Sequence, residues 1–581
     1  MPTYQYQPLR DPDEIRLVSL LPGTFDDPIR VTIHHCVPTL PIIQGEPDKT
    51  TGQSNIPPYP WSTEVTSEGE TLYLNQVTNE TSWDHPSGEP VVPATTQHNN
   101  IQPQYEALSY TWGTTSNPET AHVIGLGPDK AEHFATLSLY QNLASAFRHL
   151  RLVDHVRSFW VDAICINQRD IPERNTQVKR MANIYKSAYR VVAWLGRGDH
   201  NSNHALAILQ YIGIQLEVVR KGTLVRSPEA TEPNLWMNAC HIQPNEPTWQ
   251  AIMSILERSW FYRLWCWQEI NLSSRHTIIQ CGFDEVRWTV FWRAILCIHN
   301  KNKLPDIVFR ERCRHISFLT ADTEVFPMSM LLDLSRSKGC AEPRDKVYGL
   351  LGLTAPQFNA SVQADYSLPV EKVYKDTFLA HASITQRLEL LKHCVVAKRN
   401  ISGPSWVPDW SVTTFAAPVM SEQLATGLSQ AYFSYVEPEV LRVVGLRCTT
   451  VRTISAAASM EIDEALSVVP TWLIDLPKPV SYLNGQRMIE AFALTLSMNR
   501  TRERHPTNHF LNTSESVGLL QQIVSLDVGS NEDPAYAERE VGNTIQKIRG
   551  RTFFTTTDGH IGIAPNGIKQ GESDAWSSTA L

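Results

Sequence analysis

The stretch from Tyr105 to Gly196 constrains the fold most, because three strand-like blocks alternate there with two helix-like blocks. YEALSYTWG (Tyr105–Gly113) opens it, FWVDAICINQ (Phe159–Gln168) lies at its centre and YRVVAWLG (Tyr189–Gly196) closes it. Between the first two blocks, Leu139, Leu143, Ala146, Phe147 and Leu150 recur at helical spacing; between the second and third, Val178, Met181, Ala182 and Tyr185 do the same. Short apolar runs alternating with amphipathic helices predict βαβ units and a parallel sheet covered on both faces. A site in such an α/β fold lies at the carboxyl ends of the strands. Gly113, Asn167 with Gln168, and Gly196 are expected there.

A chain of 581 residues exceeds what one core usually organises, so two or three domains are expected. With 42% hydrophobic and 19% charged residues it reads as an ordinary globular protein. A net charge of −9 argues against nucleic acid as a partner, which calls for a basic stripe. No run of 18 apolar residues predicts a membrane span, and MPTYQYQPLRDPDE lacks the build of a signal peptide, so a cytoplasmic location is expected. The 10 cysteines are scattered without a CxxC pair, and Cys240-His241 has no second ligand pair, so reduced thiols and no metal site are expected.

Two strand-like runs come first, EIRLVSLL (Glu14–Leu21) and IRVTIHH (Ile29–His35), separated by the turn-forming PGTFDDP. A Pro- and Gln-containing stretch follows, and within it PPYPWSTEVTSEGETLYLNQVTNETSWDHP (Pro57–Pro86) sets SEGE and VTNE at turns between three short β-rich runs. This segment resembles a WW domain over its whole length. The resemblance assigns Trp61, Tyr73 and Pro86 to the buckle that holds such a sheet together, with Asn75 as the structural Asn. It makes Trp83 one wall of a groove for proline-rich peptides, lined also by Leu72, Gln76 and Thr81. Leu72 replaces an aromatic wall and Gln76 the usual specificity His, so a structural remnant is the alternative to a peptide-binding module. The segment His85–Gln104 reads as a flexible linker.

The three blocks YEALSYTWG, FWVDAICINQ and VVAWLG resemble the heterokaryon-incompatibility (HET) domain of filamentous fungi. YQPL (Tyr6–Leu9) with EIRLVSLLPG resembles its leading strands, and SWFYRLWCWQEI (Ser259–Ile270) its tryptophan-rich helix. EPRDKVYGLLGL (Glu342–Leu353), PSWVPDWS (Pro404–Ser411) and RTFFTTTDGHIGIAP (Arg551–Pro565) resemble its companion region. Because the leading strands of that family run almost directly into YEALSY, the WW-like module reads as an insertion, which a surface loop tolerates. The expected organisation is leading strands and linker over 1–56, WW module 57–86, linker 87–104, HET core 105–300, a mainly helical companion region 301–430 and a β-rich C-terminal region 431–581. The fold class implied is α/β, a TIR/flavodoxin-like parallel sheet carrying an inserted three-stranded all-β module and an α+β C-terminal region.

HET domains are similar to Toll/interleukin-receptor (TIR) domains, some of which cleave NAD at its nicotinamide glycosidic bond with one Glu on a helix. Trp265-Cys266-Trp267-Gln268-Glu269 aligns with the Trp-Cys-x-x-Glu around that residue, and Leu108-Ser109-Tyr110 resembles the first TIR strand. The resemblance thus makes Glu269 the catalytic candidate, with Ser109, Trp112 and Asp162 as substrate-binding candidates. A carboxylate facing the ribosyl cation left by departing nicotinamide would stabilise it. The alternative for Glu269 is an ion pair with Arg258 or Arg263; for Asp162, a strand-end residue capping the next turn. Trp112, Trp160, Trp194, Trp260 and Trp265 have core packing as their alternative. No GxSxG elbow, P-loop, HExxH or dinucleotide fingerprint occurs; IGLGPDK (Ile124–Lys130) reads as a turn and RTRERH (Arg500–His505) as a solvated loop.

The helix over Asp170–Ala188 is the best marked, with Asp170 and Glu173 at capping-box spacing and Pro172 in its first turn. Its polar face, Arg174, Gln177, Lys179, Arg180 and Asn183, reads as solvent surface or as a face for self-association. Leu331–Leu353 and Tyr374–Leu390 read as helical, Ala431–Thr453 as β, and RTFFTTTDGHIGIAP as a hairpin turning at DG. Family members continue past the Gly-acidic pair into a last strand or two, which are expected to be missing here, so the final hairpin is expected to keep an unpaired edge. The function implied is fungal self/non-self recognition that promotes cell death, by NAD hydrolysis with NAD as substrate and no cofactor. The alternative is a non-enzymatic module that recruits a proline-rich partner through its WW groove.

Overall fold

The computed structural model describes residues 1–38, 57–88, 105–114, 116–126, 132–220, 222–240, 242, 245–320, 325–394, 399–412, 429–462, 464–478, 481–504, 510–525 and 534–576. The linkers expected around the small β module fall on 39–56 and 89–104, outside the described residues. Part of IGLGPDK and His505 lie outside them as well.

The strands are β1 (Ile15–Leu20), β2 (Arg30–Cys36), β3 (Trp61–Val65), β4 (Thr71–Asn75), β5 (Thr81–Ser82), β6 (Glu106–Tyr110), β7 (Glu119–Leu126), β8 (Glu132–Leu139), β9 (Arg157–Trp160), β10 (Val191–Trp194), β11 (Leu216–Val218), β12 (Leu224–Arg226), β13 (Ile278–Cys281) and β14 (Asp284–Arg287). Nine of them form one mixed sheet in the order β14-β13-β10-β6-β9-β1-β2-β7-β8. The central four, β13, β10, β6 and β9, are parallel, as the alternating blocks predict. The flanks depart from a purely parallel sheet: β1 is antiparallel to both β9 and β2, and β7–β8 and β13–β14 are antiparallel hairpins. Short connections force this in the pairs β1–β2, β7–β8 and β13–β14, since a parallel partner needs a long crossover, whereas β2 and β7, far apart in the chain, are parallel.

The helices that cover the sheet are α1 (Gln141–Leu150), the single turn α2 (Asp162–Cys165), α3 (Ile171–Ser187), α4 (His200–Ile214), α5 (Glu246–Leu256), α6 (Trp265–Asn271), α7 (Trp288–Asn300) and α8 (Ile307–Ser317). Of the predicted stripe, Leu143, Ala146, Phe147 and Leu150 are buried in α1, whereas Leu139 ends β8, before the helix begins. In α3 the Asp170 side chain accepts from Glu173 N, whereas the Glu173 carboxylate accepts from Asn167 N and pairs with Arg16 at 2.6 Å. The polar face of α3 is largely taken up by the chain itself. Arg174 stacks on Tyr366 (3.7 Å), Asn175 donates to Asp365 and Lys179 to Gln363, while Arg180 donates to Glu14 O and Asp13 O. Helices α4 and α7 meet at Gly213, where a Cβ would lie 2.0 Å from Val290 O.

One apolar cluster joins β1, β6 and β9 to α1 and α3; a second runs from Ala193 to Trp410, across residue 300. The predicted helical stretch Leu331–Leu353 is broken into Met328–Leu334, Asp345–Tyr348 and a 3-10 turn Leu351–Leu353; a short helix Pro356–Ser361 follows, and the helix predicted over Tyr374–Leu390 spans Val370–Thr385. Toward the C-terminus come the hairpin β15 (Phe433–Val436) and β16 (Val440–Val443), and a sheet of β17 (Leu446–Ala457), β18 (Arg551–Thr556), β19 (Ile561–Pro565) and β20 (Ser573–Trp576). Its order is β19-β18-β17-β20, so β19 is an edge as expected, whereas a strand not expected after Gly571-Glu572, β20, is present and pairs with the far side of β17. Among the described residues no helix is long and apolar enough to cross a membrane, and no group of three His, Cys, Asp or Glu is placed to hold a metal ion.

The segment Pro57–Pro86 forms a separate antiparallel sheet in the order β3-β4-β5. Tyr73 is buried edge-on to His85 (5.1 Å), and Asn75 Oδ1 accepts from Val77 N and Thr78 N. Trp61 and Pro86 are half-buried. The opposite face, Leu72, Leu74 and Trp83, packs on Val219 and Val225 of the β11–β12 hairpin.

Candidate functional site at the ends of the parallel strands

Strands β6 and β10 lead into Gly113 (φ +79°) and Gly196 (φ +108°), whose left-handed backbone turns the chain away from the sheet. Asn142, at the start of α1, ties the two ends together. Its Nδ2 donates to Thr111 O (2.6 Å) and its Oδ1 accepts from Trp194 Nε1 (3.0 Å). Helical spacing of apolar residues does not single out Asn142, a polar residue in the first turn of α1.

Beside this edge, the 3-10 turn Ser259–Tyr262 leads through Arg263 into α6. Glu269 is 1% exposed. Ser109 Oγ donates to Glu269 Oε2, and Trp260 Nε1 donates in turn to Ser109 Oγ (2.7 Å). Arg263 reaches both carboxylate oxygens, NH1 to Oε2 at 3.2 Å and NH2 to Oε1 at 3.3 Å. The ion pair foreseen as the alternative role for Glu269 is thus made, and made with Arg263. Arg258 instead donates to Arg197 O and lies 4.0 Å from Asp199.

Asp162 stands where β9 gives way to α2. Its Oδ1 accepts from Ala163 N (2.7 Å) and its Oδ2 from Trp112 Nε1 (2.9 Å), so it both shapes the following turn and holds Trp112. Burial lifts the Asp162 carboxyl to about 6; Arg263 opposes the rise and the Glu269 carboxylate adds to it. Burial works against the charge on Arg263, but Glu269 and Asp162 outweigh it and push its pKa up. The Tyr110 hydroxyl, at the end of β6, is raised by burial and by Asp162, and has no hydrogen-bond partner among the described residues.

Ser109, Trp112, Asp162 and Glu269 therefore converge, joined by Trp260 and Arg263. Gln168 belongs to the rim, donating to Asp162 O (2.9 Å), while Asn167 serves the start of α3. Trp160 and Trp194 are core, and Trp265 donates to Asp345 (3.0 Å). Chemically the cluster offers a fixed anion, a guanidinium able to hold acidic groups, and a carboxyl whose proton is exchangeable near neutrality. As arranged, both Glu269 oxygens are engaged beneath Arg263, whose side chain is 16% exposed.

The second group of residues lies on the small sheet. Leu72 is fully buried against Val219 and Val225, Thr81 Oγ1 donates to Arg226 O (3.0 Å), and Trp83 is half-buried. Gln76 is exposed and donates to Ser62 Oγ.

Residues 105–269, which span this strand-end cluster, match the family model described as Heterokaryon incompatibility protein (HET). Over 379 residues the chain is 27% identical to Heterokaryon incompatibility protein 6, OR allele, of Neurospora crassa, a similarity covering 53% of this chain and 53% of that protein. The chain thus matches about half the length of this curated relative. No solved structure matches it. Together the family match and the relative support a heterokaryon incompatibility protein.

Proposed function

We propose that this chain acts in fungal self/non-self recognition by promoting cell death, and that Glu269 is its reactive carboxylate in the hydrolysis of NAD. One observation carries this reading: the Trp-Cys-x-x-Glu helix sets a buried carboxylate against Ser109 at the end of a central parallel strand. The C–N bond between ribose and nicotinamide breaks, nicotinamide leaves with the bonding pair, and water adds its oxygen to the ribosyl carbon. The carboxylate stabilises the cation in between, and Asp162 takes the proton that water releases. Arg263 closes Glu269 in the conformation described, so it has to swing aside for substrate to approach; freed, it can hold the diphosphate. The test is expression of wild type and Glu269→Gln in a fungal host, with cell death and NAD level followed together. The reading requires wild type to deplete NAD before death and Glu269→Gln to do neither. Death without loss of NAD would remove the enzymatic part and leave the recognition role.

A second reading has the WW-like module recruit a proline-rich partner, and the exposed Gln76 with the half-buried Trp83 favours it. Such a peptide has to displace the β11–β12 hairpin from Leu72. Binding of a proline-rich peptide should therefore be stronger in Val225→Asp than in wild type, and equal, undetectable binding in both would exclude it.

A further inference from the structure

A cavity of about 410 Å3 opens among the Tyr262–Trp267 segment, α8, the turn at Ser337–Lys338, and the C-terminal residues Ile462, Gln546 and Arg549. Its charge is one-sided. Among the described residues, Arg312, Arg314, Lys338 and Arg549 line it, against one carboxylate, Glu311, which pairs with Arg314 at 3.3 Å. Lys338 is 2% exposed; its Nζ donates to Phe261 O (3.0 Å) and lies 3.2 Å from His315 Nε2. These two contacts leave one of its three N–H bonds to spare. His315 leaves that balance unchanged: burial, then Lys338, hold its ring neutral, with a pKa of about 3.

Two further donors there lack acceptors. Trp267 is 1% exposed and lines the cavity, yet its indole Nε1–H has no partner among the described residues. The same holds for Nε of Arg312, whose guanidinium lies over the Tyr262 ring (5.1 Å). A buried donor without an acceptor is destabilising and the buried Lys338 ammonium without a counter-charge more so, so a fold keeps such a set where something acceptor-rich and anionic completes it. Four cations against one carboxylate match a phosphate dianion better than a single carboxylate. Phe318, Leu319 and Leu334 supply an apolar wall beside them.

We propose that this cavity binds a small phosphorylated molecule. Its phosphate is held by Lys338, Arg312, Arg549 and the Trp267 N–H, and its organic part lies against Phe318 and Leu334. The site is separate from the Glu269 cluster and stands whether or not Glu269 reacts.

The full chain is titrated with inorganic phosphate, phenyl phosphate and citrate at constant ionic strength, with binding followed by calorimetry and thermal unfolding. Saturable binding of phenyl phosphate is expected, tighter than that of inorganic phosphate. It should weaken about tenfold or more in Arg312→Gln and again in Arg549→Gln, each losing a charged hydrogen bond. Lys338→Met should abolish it, and the two arginine variants keep the test open if that buried substitution prevents folding. No saturable binding to wild type overturns the proposal. Undiminished binding in a folded Arg312→Gln/Arg549→Gln double variant overturns it too, as does citrate binding more tightly than either phosphate.

Discussion

At the scale of single residues, the Glu269–Arg263 pair decides how the strand-end cluster behaves. Arg263→Met strands a buried carboxylate and should cost about 3–5 kcal/mol, read as a lower urea midpoint. Glu269→Gln should cost less, because the amide still accepts from Ser109 and Arg263 keeps some access to water. The double variant should recover part of what Arg263→Met loses. Asp162 adds a pH dependence. Its folded pKa, about 6, lies above the ordinary 3.8, so the folded state holds the extra proton between those values. Stability from this group is therefore present at low pH and is lost as pH rises through about 6. Asp162→Asn should flatten that slope in pH-dependent unfolding curves. Glu269 was legible from its motif and Ser109 from its strand. The choice of Arg263 over Arg258 was not, since the turn Ser259–Tyr262 and the break before α6 undo simple helical spacing.

At the scale of elements, the docking of the small sheet is the contact least visible beforehand. Its three strands were written in the turns SEGE and VTNE, whereas its receptor is a hairpin of three-residue strands far along the chain. Main-chain bonds join the two, Ser67 N to Val218 O (2.7 Å) and Arg220 N to Val65 O (2.8 Å). Arg293 then spans the seam, 2.6 Å from Glu68 and within hydrogen-bond reach of Glu217. Val225→Asp should loosen this sheet selectively, with faster proteolysis within 57–88 and little change in the large sheet, because burying the valine is worth about 1.5–3 kcal/mol. Glu217 is pushed up to about 7 by burial; Arg293 and Arg287 oppose the rise and Glu68 adds to it. Docking that depends on this proton weakens as pH climbs from the ordinary 4.5 to about 7, which amide exchange at Ser67 and Arg220 would register. Strands β7 and β8 were overlooked for a related reason: as a half-polar hairpin at a sheet edge, they lack the apolar runs that marked β6, β9 and β10.

At the scale of the molecule, the companion region is part of what holds the central sheet. The apolar cluster that begins at Ala193 ends only at Trp410, and Tyr366 both stacks under Arg174 and donates to Asp345 (2.6 Å). A chain cut at residue 300 should expose that shared core and be recovered as aggregate, whereas a chain ending near 412 should stay in solution; size-exclusion chromatography distinguishes the two. Sequence blocks such as EPRDKVYGLLGL announced that this region exists. That it interlocks with α3 and α6 follows from side chains meeting across 190 residues (Asn175–Asp365) and 80 residues (Trp265–Asp345), which no local pattern encodes.

Helix α6 shows what such interlocking implies. Trp265 answers to Asp345, Gln268 presses on Gly352, where a Cβ would lie 2.8 Å away, Trp267 borders the cationic cavity and Glu269 meets Ser109. From Cys266 to Ile270 every residue is buried, so the helix has no idle side. In a saturation-mutagenesis screen it should form the least permissive stretch of the chain. Surviving substitutions there should arise in pairs with changes in whichever neighbouring region the altered residue touches, so the history of this one short helix would be written in the rest of the protein.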